Sequence, residues 1–175
     1  MKPSRLFSPH GTYFLNFCTW HHRRLFPVEA YARLFLKILF HYRRDGRYFL
    51  HAFVVMPDHI HLLLTPAQNV TIERAVQLIK GGYSHALGTL TSRKSEVWQR
   101  GFTDHRIRDV QDFFYHRNYI HQNPVVALLV VTPSEYRYCS AFPGFKLDPW
   151  PPAAKAGFVG EAAIGTSGTR ALPGL

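Results

Sequence analysis

The chain has 175 residues, 46% of them hydrophobic, which suits one folded domain with a substantial core and excludes disorder throughout. Its 21 Lys and Arg residues outnumber its 11 Asp and Glu residues, so the net charge is +10 with histidine neutral. This excess indicates a polyanionic partner, since binding phosphates releases counterions, although it also serves general solubility. The 14 Phe, 9 Tyr and 3 Trp favour a nucleic acid, because aromatic rings can stack on unpaired bases.

Cysteine usage and the N-terminal sequence indicate where the protein works. Cys18 and Cys139 stand far apart and form no CxxC pair, which predicts no disulfide framework and fits a reducing cytoplasm. The N-terminal sequence MKPSRLFSPHGTYF lacks the apolar stretch of a signal peptide. No run approaches the ~20 apolar residues that span a bilayer. We therefore expect a soluble, cytoplasmic protein without a membrane partner.

The periodicity of apolar residues and the turn signals predict alternating strands and helices. In chain order these are a strand at residues 12–20, a helix at 28–44, strands at 47–56 and 59–65, a helix at 71–90 with a weak point at Gly81-Gly82, a strand within 98–107, and a helix at 110–122 that Asn123-Pro124 ends. This order predicts an α+β fold with a ferredoxin-like, antiparallel-rich sheet. Helices pack on one face, and the other face is left for ligands and the active site.

The composition changes near Asp148, where Pro, Ala, Gly and Ser become frequent and periodicity is lost. We therefore predict a single catalytic domain at residues 1–147. Residues 148–175 are predicted to form a flexible tail that the chemistry does not need.

A His-x-His pair in the third predicted strand is the first candidate for chemistry. In the segment MPDHIHLLL, alternation places His59 and His61 on one face, about 7 Å apart along the strand. Ile60, Leu62 and Leu64 project from the other face and can cover the helices, so the histidines occupy the open face. Two imidazoles there suit a shared divalent metal, while the alternative is a pair of ordinary surface histidines.

A second candidate is the segment YIHQNP at the end of the last predicted helix. Tyr119 and Asn123 are four residues apart and therefore share a helix face. A phenol with a reference pKa of ~10 becomes a useful nucleophile where a metal polarises the target phosphate. The Asn123 amide oxygen suits a third, hard ligand. The alternatives are a tyrosine packed into the core and an asparagine that stops the helix before Pro124.

The order of several segments makes the chain resemble a known family. FVVMPDHIHLLL, WQRGFTDHRIRD and YIHQNPV, with GTYFLNFCTWHHRRLF before them and EYRYCSAF after, cover residues 10–142. In these segments the chain is similar to HUH-superfamily tyrosine transposases, and most closely to the REP-associated branch of single-strand insertion-sequence transposases.

The resemblance implies a metal-dependent, single-stranded DNA endonuclease and strand transferase that acts on hairpin-forming repeat DNA. It implies that Tyr119 attacks a DNA phosphate, leaving a 5′-phosphotyrosine and a free 3′-hydroxyl. It also implies that His59, His61 and Asn123 hold Mg²⁺ or Mn²⁺. The third ligand is often Gln in insertion-sequence relatives, and Gln122 is the weaker candidate here because it lies on another helix face. Relatives act as monomers or as homodimers.

The ligand set leaves the metal open. Mg²⁺ prefers oxygen while imidazole suits softer ions, so two histidines with oxygen ligands favour Mn²⁺ at least as much as Mg²⁺, and Zn²⁺ also fits the spacing. Candidate DNA contacts follow from charge and aromaticity, with a solvated charge or a buried ring as the alternative for each. They are Arg23, Arg24, Lys80, Trp98, Arg100, His105, Arg106 and Arg108.

Two other classes of protein share part of this pattern. A non-catalytic single-stranded nucleic-acid-binding module of the same fold needs basic and aromatic residues, but not the two histidines, the tyrosine and the asparagine together. A metal-dependent hydrolase with a water nucleophile needs no tyrosine one turn from a ligand. No GxxxxGK[ST] segment is present, which is consistent with strand transfer that conserves the phosphodiester bond energy and needs no nucleotide.

Overall fold

The computed structural model describes residues 11–92 and 95–150. It contains four strands, three α-helices and two short 3₁₀ turns, in the predicted order. They are β1 (Tyr13–Cys18), a 3₁₀ turn (Trp20–His22), α1 (Glu29–Arg44), β2 (Tyr48–Val55), β3 (His59–Pro66), α2 (Ile72–Thr91), β4 (Thr103–Arg106), α3 (Val110–Val126) and a 3₁₀ turn (Pro133–Glu135). No helix among these residues is long and apolar enough to cross a membrane.

The four strands form one sheet in the order β2-β3-β1-β4, and every neighbouring pair is antiparallel. Strands β1 and β3 occupy the centre, with Tyr13 opposite Leu64 and Cys18 opposite His59. Strands β1 and β2 are consecutive in sequence but not adjacent in the sheet, because α1 connects them and β3 then returns to lie between them. The predicted α+β, ferredoxin-like sheet is confirmed.

The larger core lies between α1, α2 and one face of the sheet. From β3 it takes Ile60, Leu62 and Leu64, all fully buried, so the predicted inward face of this strand is correct. Where α2 crosses α1, a Cβ added at Gly82 would lie 2.8 Å from the Tyr42 hydroxyl oxygen. The weak point predicted at Gly81-Gly82 is therefore a close approach of two helices, and α2 continues through it.

A smaller core lies on the opposite face, beneath α3. Val54 and Leu63 of the sheet meet Phe113 and Ile120 of the helix there. The face that α1 and α2 leave free is thus partly covered by α3, and the histidines of β3 lie between the sheet and this helix.

Helix α3 does not end at Asn123-Pro124, and the prediction that it stops there was wrong. The helix begins with Asp109, whose carboxylate accepts the Asp112 amide at 2.8 Å, and it runs through a buried Pro124 to Val126. Proline removes one intrahelical hydrogen bond because it has no N–H. The following turn still closes, since the Ala127 amide donates to the Asn123 carbonyl at 3.0 Å.

The segment after α3 packs along the outer edge of β2. The Val55 amide donates to the Tyr138 carbonyl, and the Ser140 amide donates to the Phe53 carbonyl, both at 2.9 Å. Further on, Asp148 pairs with Arg43 at 2.7 Å, and the Trp150 ring stacks on Phe113 with centroids 4.3 Å apart. Packing therefore continues up to residue 150, past the boundary predicted at 147/148, and the rest of the predicted tail lies outside the described residues.

Candidate active site

His59 and His61 lie together on the α3 face of β3, as strand alternation predicts. Their ring centroids are 4.8 Å apart. Their surroundings differ, because the side chain of His59 is 25% exposed whereas His61 is only 4% exposed. The expectation that both histidines occupy an open surface holds for His59, while His61 is enclosed by the residues that pack on it.

Tyr119 reaches this pair from α3. Its ring meets the His61 ring nearly edge-on, with centroids 5.4 Å apart. Phe14 of β1 stacks on His61 at 5.3 Å and meets Tyr119 at 5.7 Å. Tyr119 remains 45% exposed, so a substrate can approach it. The fold therefore brings the candidate nucleophile and the candidate ligand strand together, and Phe14 is a member of the site that the sequence analysis missed.

Burial controls the charge of His61. Desolvation, together with the neighbouring His59, lowers the pKa of His61 to about 3. The imidazole is therefore neutral at physiological pH and keeps a lone pair. Its Nδ1 is buried, and it has no hydrogen-bond partner in the part of the chain that the structure describes. An unpaired buried nitrogen of this kind is unusual and is suited to an ion.

Asp58 holds the ring of the other histidine, His59, in its orientation. The Asp58 carboxylate bonds to His59 Nδ1 at 2.7 Å through one oxygen and to His22 Nδ1 at 3.2 Å through the other. Burial raises the pKa of Asp58, but these hydrogen bonds outweigh it and the net pKa is lowered. Metal-binding histidines commonly donate a hydrogen bond from the N–H of their other ring nitrogen to a carboxylate in this way. The sequence analysis missed Asp58, although its place directly before His59 was a usable signal.

Asn123 lies within α3, one turn after Tyr119, and is half-buried. The helical spacing that the sequence predicts for this pair is therefore present. Among the described residues no hydrogen bond joins Asn123 to either histidine, so its role as a third ligand stays a prediction.

The side chains on this face fit a divalent metal. His61 offers a neutral, unpaired nitrogen, and His59 keeps Nε2 available because Asp58 engages Nδ1. Both are borderline ligands that accept first-row divalent ions.

Comparison with known proteins assigns the family. The sequence profile of the family described as "Transposase IS200 like" matches residues 10–123. The chain belongs to this family. One relative of the transposase is the REP-associated tyrosine transposase of Escherichia coli (strain K12), which is 27% identical over 125 residues, or 67% of this chain and 73% of the relative.

A solved structure agrees with the sequence relationship. The structure of a REP-associated tyrosine transposase bound to a REP hairpin matches this transposase with a TM-score of 0.67 and 25% identity, covering 79% of this chain and 81% of the other. The resemblance to REP-associated tyrosine transposases is confirmed, and the protein is an enzyme of the transposase class.

A second histidine cluster of the transposase lies where β4 meets the start of α3. Donor atoms of His105, Asp112 and His116 all lie within 4.8 Å of one another, close enough to hold a metal. Asp112 is the centre of this cluster, since its Oδ2 accepts from His105 Nε2 at 2.9 Å and from Arg108 Nε at 3.0 Å. The guanidinium therefore already neutralises the carboxylate. The cluster also borders the Tyr119 site, because the His116 ring lies 4.9 Å from that of Phe14.

Asp112 is ionised in this network. Burial raises its pKa, but hydrogen bonds from His105 and Arg108 outweigh burial and hold the pKa well below its ordinary value. His105 was expected to contact DNA, whereas its Nε2 is engaged by Asp112. The sequence analysis missed Asp112 and His116, because their contacts depend on the meeting of a strand and a helix.

Two residues predicted to contact DNA, Lys80 and Trp98, instead make contacts within the transposase. The Lys80 ammonium donates to the carbonyls of Gln99 and Gly101 at 2.8 and 2.7 Å. Trp98 donates its indole N–H to the Lys80 carbonyl at 3.0 Å, and its ring packs against Phe17 with centroids 5.2 Å apart. The Trp98 ring therefore belongs to the edge of the larger core.

The predicted arginines divide into engaged and exposed side chains. Arg23 donates to the Glu96 carbonyl, and Arg108 bonds to Asp112 although its side chain is 74% exposed. The remaining exposed members of the predicted set are Arg24, Arg100 and Arg106. Contact of any of these residues with DNA stays a prediction.

Proposed function

We propose that this transposase is a metal-dependent, single-stranded DNA endonuclease and strand transferase with Tyr119 as its nucleophile. His59, His61 and Asn123 would hold Mg²⁺ or Mn²⁺. The substrate would be hairpin-forming repeat DNA, cut through a 5′-phosphotyrosine.

The observation that carries this proposal is the meeting of α3 with β3. The Tyr119 ring lies 5.4 Å from the ring of His61, whose Nδ1 is buried and unpaired. A non-catalytic module of this fold has no need for a half-exposed tyrosine beside a neutral, buried imidazole. A hydrolase with a water nucleophile has no need for the tyrosine either.

The proposed reaction conserves bonds at each step. The Tyr119 oxygen attacks the scissile phosphorus and loses its proton, while the P–O3′ bond breaks and the departing oxygen is protonated to a 3′-hydroxyl. The DNA 5′ end then stays attached to the protein. A 3′-hydroxyl of a second strand can attack the same phosphorus and release the tyrosine, so a phosphodiester replaces a phosphodiester and no nucleotide is consumed.

The chain's own residues prepare this step. When bound, the divalent ion would polarise the scissile phosphate and stabilise its developing negative charge. Asp58 fixes the orientation of His59, and Phe14 packs on both His61 and Tyr119, which holds the tyrosine ring beside the ligand strand. Only correctly placed groups contribute strongly to such a displacement.

The proposed substrate follows from the relatives. A related transposase is solved with a REP hairpin, and this chain carries a net charge of +10 with exposed arginines that suit phosphates. We therefore expect the strand beside a hairpin stem to run along the exposed side of the site, past Tyr119 and His59.

The test is formation of a covalent adduct. Labelled single-stranded repeat DNA is incubated with the protein and Mn²⁺, and the label is followed on a denaturing protein gel. We expect the adduct with the wild type, its loss in Tyr119→Phe, and nearly unchanged DNA binding, because only the hydroxyl is removed. Chelating the metal should abolish the adduct as well.

Tyr115→Phe is the matched control, since Tyr115 lies one turn earlier on α3 and is 69% exposed. It should form the adduct at the wild-type level. An adduct that persists in Tyr119→Phe contradicts the assigned nucleophile. Cleavage by the wild type without any adduct favours a water nucleophile, and binding without cleavage favours the non-catalytic module.

A further inference from the structure

Two unpaired polar atoms lie at directly opposite positions of the central strands. Asn16 of β1 pairs in register with His61 of β3. The Oδ1 atom of Asn16 and the Nδ1 atom of His61 are both buried, and neither has a hydrogen-bond partner in residues 11–92 and 95–150. Buried polar atoms are nearly always satisfied, so two orphans at one register pair indicate a shared partner.

The register places Asn16 on the same face as the histidines. Side chains directly opposite each other in an antiparallel pair share a face, with Cβ atoms about 4.5–5.5 Å apart. Asn16 therefore neighbours His61, just as Cys18 neighbours His59 one pair along. These four side chains, two from each strand, share this face of the sheet, and His61 is the one whose ring contacts Tyr119.

We propose that Asn16 is an additional protein ligand, through Oδ1, of the divalent ion held by His59 and His61. The inference rests on the metal site of the proposed function and goes beyond it, since it adds a ligand from β1. The backbone of a central strand holds Asn16 firmly, whereas Asn123 comes from a helix on a smaller core.

The chemistry of the amide supports this assignment. Mg²⁺ and Mn²⁺ favour oxygen ligands, which two imidazoles alone do not supply. A neutral amide oxygen adds no negative charge to a site that must receive a phosphate. Two histidines and two asparagine oxygens would still leave positions of a six-coordinate ion for the substrate and water.

The alternative occupant of this position is a water molecule that bridges Asn16 and His61 without any metal. The two occupants are separated by measuring metal affinity directly, by calorimetric titration of the full chain with Mn²⁺ in the absence of DNA. The variants are Asn16→Leu, which has a similar volume and no oxygen, and Cys18→Ser as the matched control on the same strand and face.

We expect Asn16→Leu to weaken Mn²⁺ binding about tenfold or more and Cys18→Ser to leave it within about twofold. The rise in melting temperature caused by Mn²⁺ should shrink in parallel for Asn16→Leu, because a ligand stabilises the state that binds it. If Asn16→Leu does not fold, Asn16→Gln displaces the oxygen by one methylene and should also weaken binding. Unchanged Mn²⁺ affinity in the folded variant assigns the position to water and overturns the inference.

His59→Ala separates this result from the proposed function. Loss of Mn²⁺ binding in His59→Ala, together with wild-type binding in Asn16→Leu, overturns the role of Asn16 alone. Wild-type Mn²⁺ affinity in His59→Ala overturns the metal site itself, and the role of Asn16 with it.

Discussion

At the scale of single residues, the two histidines of β3 differ in burial and in the contacts that hold them. His61 is enclosed by Phe14 and Tyr119 and stays neutral because burial lowers its pKa to about 3. His59 is more exposed and depends on Asp58 for its orientation. One histidine is thus positioned by packing and the other by a hydrogen bond, so the two respond to different substitutions.

We predict that Asp58→Asn weakens Mn²⁺ binding by roughly 10- to 100-fold, because a neutral amide holds the His59 ring less firmly than the carboxylate does. Calorimetric titration measures the affinity. Asp45→Asn is the matched control, since Asp45 follows the last residue of α1, away from the site, and also pairs with a histidine, His41, at 3.5 Å. Equal affinity in wild type and Asp58→Asn would show that Asp58 does not support the metal ligand.

At the scale of elements, periodicity predicted much of the site. Alternation in β3 placed His59 and His61 on one face and Ile60, Leu62 and Leu64 in the core. A shift of the strand register by one residue would instead bury the histidines against α1 and α2. The helical repeat put Tyr119 and Asn123 on one side of α3.

The features that the sequence did not reveal depend on contacts between elements. Lys80 and Trp98 look like DNA-binding residues in isolation, yet Lys80 donates to carbonyls of the loop after Trp98, and Trp98 donates to the Lys80 carbonyl in α2. Local propensity also predicted a helix end at Asn123-Pro124, whereas the packing of α3 on the sheet carries the helix past its proline. Neither effect is encoded in the spacing of nearby residues.

The start of α3 should respond to acid through Asp112. A carboxylate with a lowered pKa stabilises the native state at pH values above its ordinary pKa of 3.8, and this stabilisation is lost as the pH falls towards the lower native value. Asp112→Asn should therefore be less stable than the wild type at neutral pH, and the difference should narrow below about pH 4.

Urea denaturation across a pH series measures this difference. Asp109→Asn is the control on the same turn, because asparagine caps a helix about as well as aspartate does and should cost less at neutral pH. A stability difference between wild type and Asp112→Asn that stays constant from neutral to acid pH would mean that ionisation of Asp112 does not support the fold.

At the scale of the whole molecule, the net charge acts on binding of polynucleotides in general, whereas the shape of the site acts on which form of the DNA can be cut. The net charge of +10 attracts any polynucleotide and should make binding weaken steeply with salt. The site accepts a smaller range of substrates, because one backbone must pass close to both Tyr119 on α3 and the histidines of β3.

We predict that cleavage requires an unpaired segment beside a hairpin, since a continuous duplex would bring a second backbone into the same space. One repeat sequence is compared as a hairpin with a single-stranded tail and as a perfect duplex, at equal salt and Mn²⁺. Adduct should form with the hairpin and scarcely with the duplex, while both bind. Comparable cutting of the two forms would refute the single-strand requirement even with Tyr119 as the nucleophile.

The unequal size of the two cores has a consequence for hydrogen exchange. Within residues 11–92 and 95–150, eight buried residues form the core beneath α3, against twenty in the core beneath α1 and α2. Amide protons of α3 should therefore exchange through partial openings that leave β1 and β3 protected, since cooperative units with fewer buried contacts open at lower free energy. Each such opening would part the nucleophile from its histidines while the ligand strand stays folded.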